Sequence, residues 1–126
     1  MIRLLIADDE KLEREALAEL VQRRFEREVV LEVAENGRKA ADTAVLWGAD
    51  LILMDIEMPL CDGLTATRLI KAELPETKVV MLTVSASDED LFEAVKSGAS
   101  GYLLKSQSAD SFLEMVGQVA VGGAAL

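Results

Sequence analysis

The sequence predicts an α/β protein: a doubly wound (βα)5 parallel sheet with helices on both faces, forming a three-layer sandwich. Three observations carry that prediction. Short apolar runs recur along the chain, at Leu4-Leu5-Ile6-Ala7, Val29 to Ala34, Leu51-Ile52-Leu53-Met54, Val79-Val80-Met81-Leu82 and Tyr102-Leu103-Leu104. Runs of this length with little alternation read as strands buried on both faces, as parallel strands are. Between the runs, apolar residues fall at helical spacing, and strand–helix alternation demands right-handed crossovers that cover both sheet faces. Four of the runs also end in residues that carry chemistry, Asp8-Asp9, Asp55, Thr83 and Lys105.

Taken in order, Arg3 to Ala7 is the first strand, and Leu12, Ala16, Leu20 and Val21 mark a helix through Arg24. Val29 to Ala34 is the second strand, and Gly37 opens a helix to about Trp47. Leu51 to Met54 makes the third strand. A loop through Pro59 to Gly63 follows, then a helix from Thr65 to Glu73 stopped by Pro75. Lys78 to Leu82 is the fourth strand. Ser87, with Asp90 three residues on, caps a helix through Ser97 that Gly98 ends. Gly101 to Leu104 is the fifth strand. The last helix starts near Ser108 or Asp110, carries Phe112, Val116 and Val119 on one face, and ends at Gly122-Gly123. The common strand order for five such units is 2-1-3-4-5, which sets the first and third strands side by side at the switch point.

With 126 residues, 51% apolar and 29% charged, the chain has the size of one domain and no disorder signature. Its apolar runs fall far short of the roughly 20 residues that span a bilayer. Met1 to Ala7 leads directly into Asp8-Asp9-Glu10 without a signal-peptide pattern, so a cytoplasmic location is expected. Cys61 is the only cysteine and histidine is absent, which excludes an internal disulfide, a cysteine zinc cluster and histidine-based catalysis. A formal charge of −10 argues against direct binding of nucleic acid. The acids Glu10, Glu13, Glu15 and Glu19 read as a solvated helix face.

In an open α/β sheet, the carboxyl ends of the strands converge on one crevice. Asp8-Asp9 alone would read as a helix-cap pair favoured by the helix dipole. Beside Asp55, however, it makes a trio of crowded carboxylates, which take up protons or a cation. Oxygen-only ligands favour Mg²⁺. Asp55, at a strand end before Ile56-Glu57-Met58-Pro59, is a competent nucleophile toward phosphorus once positive charge neutralises the incoming oxygens, and Lys105 supplies such charge. Thr83 offers a hydroxyl to a phosphoryl oxygen. Cys61 and Trp47 read as structural, and Ser85, Ser87, Ser106 and Ser108 as turn or capping residues.

From Ile2 to about Gly123 the chain resembles the receiver domain of two-component response regulators. The resemblance rests on Ile6-Ala7-Asp8-Asp9-Glu10, Met54-Asp55-Ile56-Glu57-Met58-Pro59, Asp62-Gly63, Leu82-Thr83 and Gly98-Ala99-Ser100-Gly101-Tyr102-Leu103-Leu104-Lys105. It implies a flavodoxin-like fold with the 2-1-3-4-5 order, and Asp55 as phosphoacceptor. It further implies Asp9 and Asp55 as Mg²⁺ ligands, Asp8 acting largely through water, and Glu57 giving its backbone carbonyl. Lys105 and Thr83 would bind the phosphoryl group. Thr83 and Tyr102 would form a switch pair, with Tyr102 turning inward once space opens near Thr83. The implied partners are a sensor histidine kinase and, on phosphorylation, a second copy of the chain.

Four positions depart from the family pattern. Leu60-Cys61 stands where a Gly and a Met are frequent, and Ser106 where a proline with a cis bond often follows the lysine. Val84 is bulkier than the usual residue after the switch hydroxyl and is expected to hinder access to the phosphoryl group. The run Gly101 to Ser106 and the ending Ala120 to Leu126 resemble LuxR-type regulators, in which the receiver precedes a helix-turn-helix domain. Residues 1–126 would then be the receiver, with the DNA-binding output domain outside this sequence. A stand-alone receiver, a receiver-like module that is never phosphorylated, and a Mg²⁺-dependent phosphatase with an aspartyl-phosphate intermediate are the rival readings. The last would want its nucleophile on the first strand with a second Asp two residues on, which Asp8-Asp9-Glu10 does not supply.

Overall fold

A computed structural model describes residues 1–84 and 87–120. The elements follow in the order β1 (Ile2–Ala7), α1 (Lys11–Arg24), β2 (Val29–Ala34), α2 (Gly37–Trp47), β3 (Leu51–Asp55), α3 (Gly63–Glu73), β4 (Lys78–Thr83), α4 (Asp88–Ser97), β5 (Gly101–Leu104) and α5 (Ala109–Ala120). All strand pairs are parallel and the sheet order is β2-β1-β3-β4-β5, as the sequence predicts. Helix α3 begins at Gly63 rather than Thr65, because the Asp62 carboxylate accepts a hydrogen bond from Thr65 N and so caps the helix two residues earlier. The Gly122-Gly123 stop and the turn role of Ser85 lie outside the described residues.

The period of two within each strand divides the core in half. Leu5, Ala7, Ile52, Met54, Val79 and Met81 face one layer, where they pack with Ala40, Ala44, Ala66, Ile70 and Ala94 from α2, α3 and α4. Leu4, Ile6, Leu51, Leu53, Val80, Leu82 and Leu103 face the other, against Val21 of α1 and Phe112, Val116 and Val119 of α5. The central strands are buried residue after residue for this reason, whereas edge strand β2 exposes Val30 and Val33. Trp47 and Cys61 pack at the margin of the first layer, as their structural reading requires.

Several turns fix where the strand ends sit. Asn36 and Ser87 cap α2 and α4 by accepting from Lys39 N and Asp90 N, and Gly98 ends α4 at φ +102°. After β3 the chain doubles back so closely that a Cβ on Gly63 would lie 2.1 Å from the Asp55 carbonyl oxygen, and Gly63 N donates to Ile56 O at 2.7 Å. Leu60 takes the left-handed conformation at φ +67° in this loop, with its side chain in solvent. That conformation costs a residue with a Cβ about 1–2 kcal/mol, which accounts for the glycine common at this position in the family it resembles.

Candidate functional site

The register of the sheet brings the predicted residues to one end. Asp8 extends β1 by one ladder bond, its N–H donating to Ala34 O at 3.1 Å, and Asp55 closes β3 opposite Leu82. Thr83 closes β4. Lys105 follows β5 directly, anchored by its backbone N–H donating to Thr83 O at 2.7 Å. Its four-carbon stem reaches back over β4, placing Nζ 3.1 Å from Asp55 Oδ2 and 3.5 Å from Asp8 Oδ2.

Asp8 and Asp55 are buried and Asp9 is exposed, yet one oxygen from each lies within 4.8 Å of the others. The backbone N–H of Glu10 donates to Asp8 Oδ1 at 2.9 Å, and Arg14 donates to the Asp8 carbonyl, fixing the turn between β1 and α1. Burial pushes the Asp8 carboxyl up to about 6, against the Glu10 N–H and the Lys105 charge, which hold it down. Burial likewise raises Asp55, opposed by the Lys105 ammonium beside it. Burial opposes the charge on Lys105, but Glu13 and Asp55 outweigh it, so the ammonium stays protonated throughout the neutral range. Three aspartates gathered beside a single ammonium leave the site short of positive charge. Three converging carboxylate oxygens fit a hard divalent cation such as Mg²⁺.

These groups border a cavity of about 300 Å³ lined by Asp9, Glu13, Asp55, Glu57, Thr83 and Lys105 among others. Glu57 lines this cavity two residues after Asp55. Val84, 69% exposed, is among the residues that line this cavity. Tyr102 is half-buried on β5, beside the strand that Thr83 closes. The Lys105–Ser106 bond is trans, since the described residues contain no cis peptide bond. The loop after β5 thus differs from the proline-containing form.

One member of the cluster escapes the sequence pattern. Glu13, read there as part of a solvated helix face, makes the shortest ion pair of Lys105, Oε2 to Nζ at 2.7 Å, and the ammonium lowers its pKa. Glu10, Glu15 and Glu19 remain exposed, as expected. Nothing in the spacing separates Glu13 from Glu10 or Glu15, which carry the same charge at the start of the same helix.

A family model described as the response regulator receiver domain matches residues 4–117. The transcriptional regulatory protein LnrK of Bacillus subtilis (strain 168) is 44% identical over all of this chain and 57% of its own length. The transcriptional regulatory protein DegU of Brevibacillus brevis is 39% identical over 98% of this chain and 52% of its own. The chain thus spans little more than half the length of these curated relatives. The chemotaxis protein CheY of Halobacterium salinarum is 33% identical over 93% of this chain and 95% of its own length. Among solved structures, the signal receiver domain of the response regulator NarL from Mycobacterium tuberculosis superposes with a TM-score of 0.86 at 26% identity, covering 96% of this chain and 97% of that one. With the 2-1-3-4-5 sheet and the acids at its switch point, these likenesses establish that the chain belongs to the receiver domains of two-component response regulators.

Proposed function

We propose that Asp55 accepts a phosphoryl group from the phosphohistidine of a sensor histidine kinase, or from a small acyl phosphate. The observation that carries this reading is the placement of Lys105 Nζ 3.1 Å from Asp55 Oδ2, with the oxygens of Asp8 and Asp9 alongside. An Asp55 oxygen attacks phosphorus in line, forming the O–P bond as the bond to the donor nitrogen or oxygen breaks, and the leaving group departs with the electron pair. Mg²⁺, held by Asp9, Asp55 and the Glu57 backbone carbonyl, with Asp8 acting through water, would supply the positive charge that these carboxylates lack. Lys105 turns its ammonium to the new phosphoryl oxygens, and the Thr83 hydroxyl donates to one of them. The acyl phosphate is a state of this chain rather than a released product, so the protein is no turnover enzyme.

Phosphorylation adds about −1.5 to −2 charges and new acceptor oxygens. Recruiting Thr83 to them disturbs the end of β4, and through Tyr102 on neighbouring β5 the face formed by α4, β5 and α5. The output is a shift in population that favours a homodimer and acts on a C-terminal helix-turn-helix domain, in a cytoplasmic regulator of transcription. Support for an attached output domain comes from the transcriptional relatives, of which this chain covers 57% and 52%. Among the described residues, no helix is long and apolar enough to cross a membrane.

Intact-mass spectrometry after incubation with Mg²⁺ and acetyl phosphate tests the assignment. A single phosphoryl adduct is expected on the wild type and none on Asp55→Asn. An adduct that persists in the variant would remove Asp55 from its role.

A further inference from the structure

The Lys105 ammonium has three N–H donors and faces three carboxylates, Glu13 Oε2 at 2.7 Å, Asp55 Oδ2 at 3.1 Å and Asp8 Oδ2 at 3.5 Å. It donates hydrogen bonds to Glu13 and Asp8 and pairs with Asp55 by charge. A phosphoryl group on Asp55 brings acceptor oxygens and no donors, so it competes with these carboxylates for Lys105. Asp8 is completely buried, so releasing it would strand a buried carboxylate, and Asp55 is the acceptor itself. The Glu13 side chain is 47% exposed, so its carboxylate can pass to water at little cost. It also has room to move. Glu13 borders both the 300 Å³ cavity at the acids and a second cavity of about 290 Å³ between α1 and α5, lined by Ala16, Leu17, Gln107 and Phe112.

The shortest contact of Lys105 is thus with the partner most easily released. Resting on the phosphoacceptor reading above, we propose that Glu13 is a competitive latch on Lys105: it holds the ammonium before phosphoryl transfer and must let go for Lys105 to meet the phosphoryl oxygens. Glu13 is a positioning residue. The covalent step is unchanged by it: with acetyl phosphate as donor, the Asp55 O–P bond forms, the P–O bond to the acetyl group breaks, and acetate leaves with the electron pair.

The test is the initial rate of adduct formation with Mg²⁺ and limiting acetyl phosphate, read by intact mass, for the wild type, Glu13→Gln and Glu10→Gln. Glu10 borders the same cavity with the same charge and makes no ion pair with Lys105, so it reports the effect of cavity charge alone. Glu13→Gln is expected to react about twofold to fivefold faster than wild type, the rate equivalent of the ~1 kcal/mol at most that a half-exposed pair is worth, with a clearly smaller gain for Glu10→Gln. Equal gains in the two variants would overturn the latch and leave only bulk charge. A slower or unchanged Glu13→Gln would overturn it too, while the wild-type adduct kept the phosphoacceptor reading intact. No adduct on any of the three proteins would remove that reading and the latch together.

Discussion

Lys105 Nζ lies 3.1 Å from Asp55 Oδ2, although β4 separates the strands that carry them. The lysine is 18% exposed and the aspartate 7% at the side chain, so the pair is shielded from solvent and from salt. Breaking it would leave buried carboxylates facing one another with no counter-charge. Lys105→Met is expected to lower stability by about 2–4 kcal/mol at pH 7.5, and by less at pH 5, where Asp8 takes up a proton. Urea midpoints at the two pH values measure this. An equal loss at both would mean that the lysine acts through packing alone.

The buried Asp8 carboxyl sets a pH dependence of its own. Its folded pKa of about 6 is above the ordinary value of 3.8, so the proton-bound form is the one the fold favours. The stability it contributes is present below pH 3.8 and is lost as pH rises through 6, by about 3 kcal/mol at most. Asp55 is shifted in the same direction. Glu13, whose pKa is lowered, works in the opposite sense, gaining stability as pH rises. The useful quantity is therefore the difference between wild type and Asp8→Asn in chelator: the variant should gain on the wild type between about pH 4 and 6. A constant difference across that range would refute the assignment.

Cation binding should stabilise the fold by mass action, about 2.7 kcal/mol at a concentration of one hundred times Kd. Asp9 is exposed, so Asp9→Ala removes a ligand without disturbing the core. Thermal melts with and without Mg²⁺ should show a rise for wild type that is mostly absent in Asp9→Ala. The same rise in both would place the metal elsewhere.

At Gly63 a Cβ would meet the carbonyl carbon of Asp55 at 3.0 Å and its oxygen at 2.1 Å, and backbone cannot swing aside as a side chain does. Gly63→Ala should therefore cost at least about 1–3 kcal/mol and shift the acceptor strand end. Chemical denaturation, with a wild-type-like midpoint as the contrary result, decides the matter.

The sequence alone determined most of this architecture, because burial on both faces and helical spacing are written locally, in runs of a few residues. Once parallel strands alternate with helices, their carboxyl ends must share one edge. Asp8, Asp9, Asp55, Thr83 and Lys105 could thus be grouped before any distance was known. Glu13 could not. It sits 92 residues from Lys105 in the chain, and its neighbours Glu10 and Glu15 carry the same charge on the same helix. Which of them meets the lysine depends on how α1 is rotated against the sheet and how far the Lys105 stem reaches over β4. The tertiary structure also decided the left-handed Leu60 and the trans bond before Ser106. Periodicity fixes which face of an element is buried, but only the packed layers fix where a side chain on that face points, and so which charges meet.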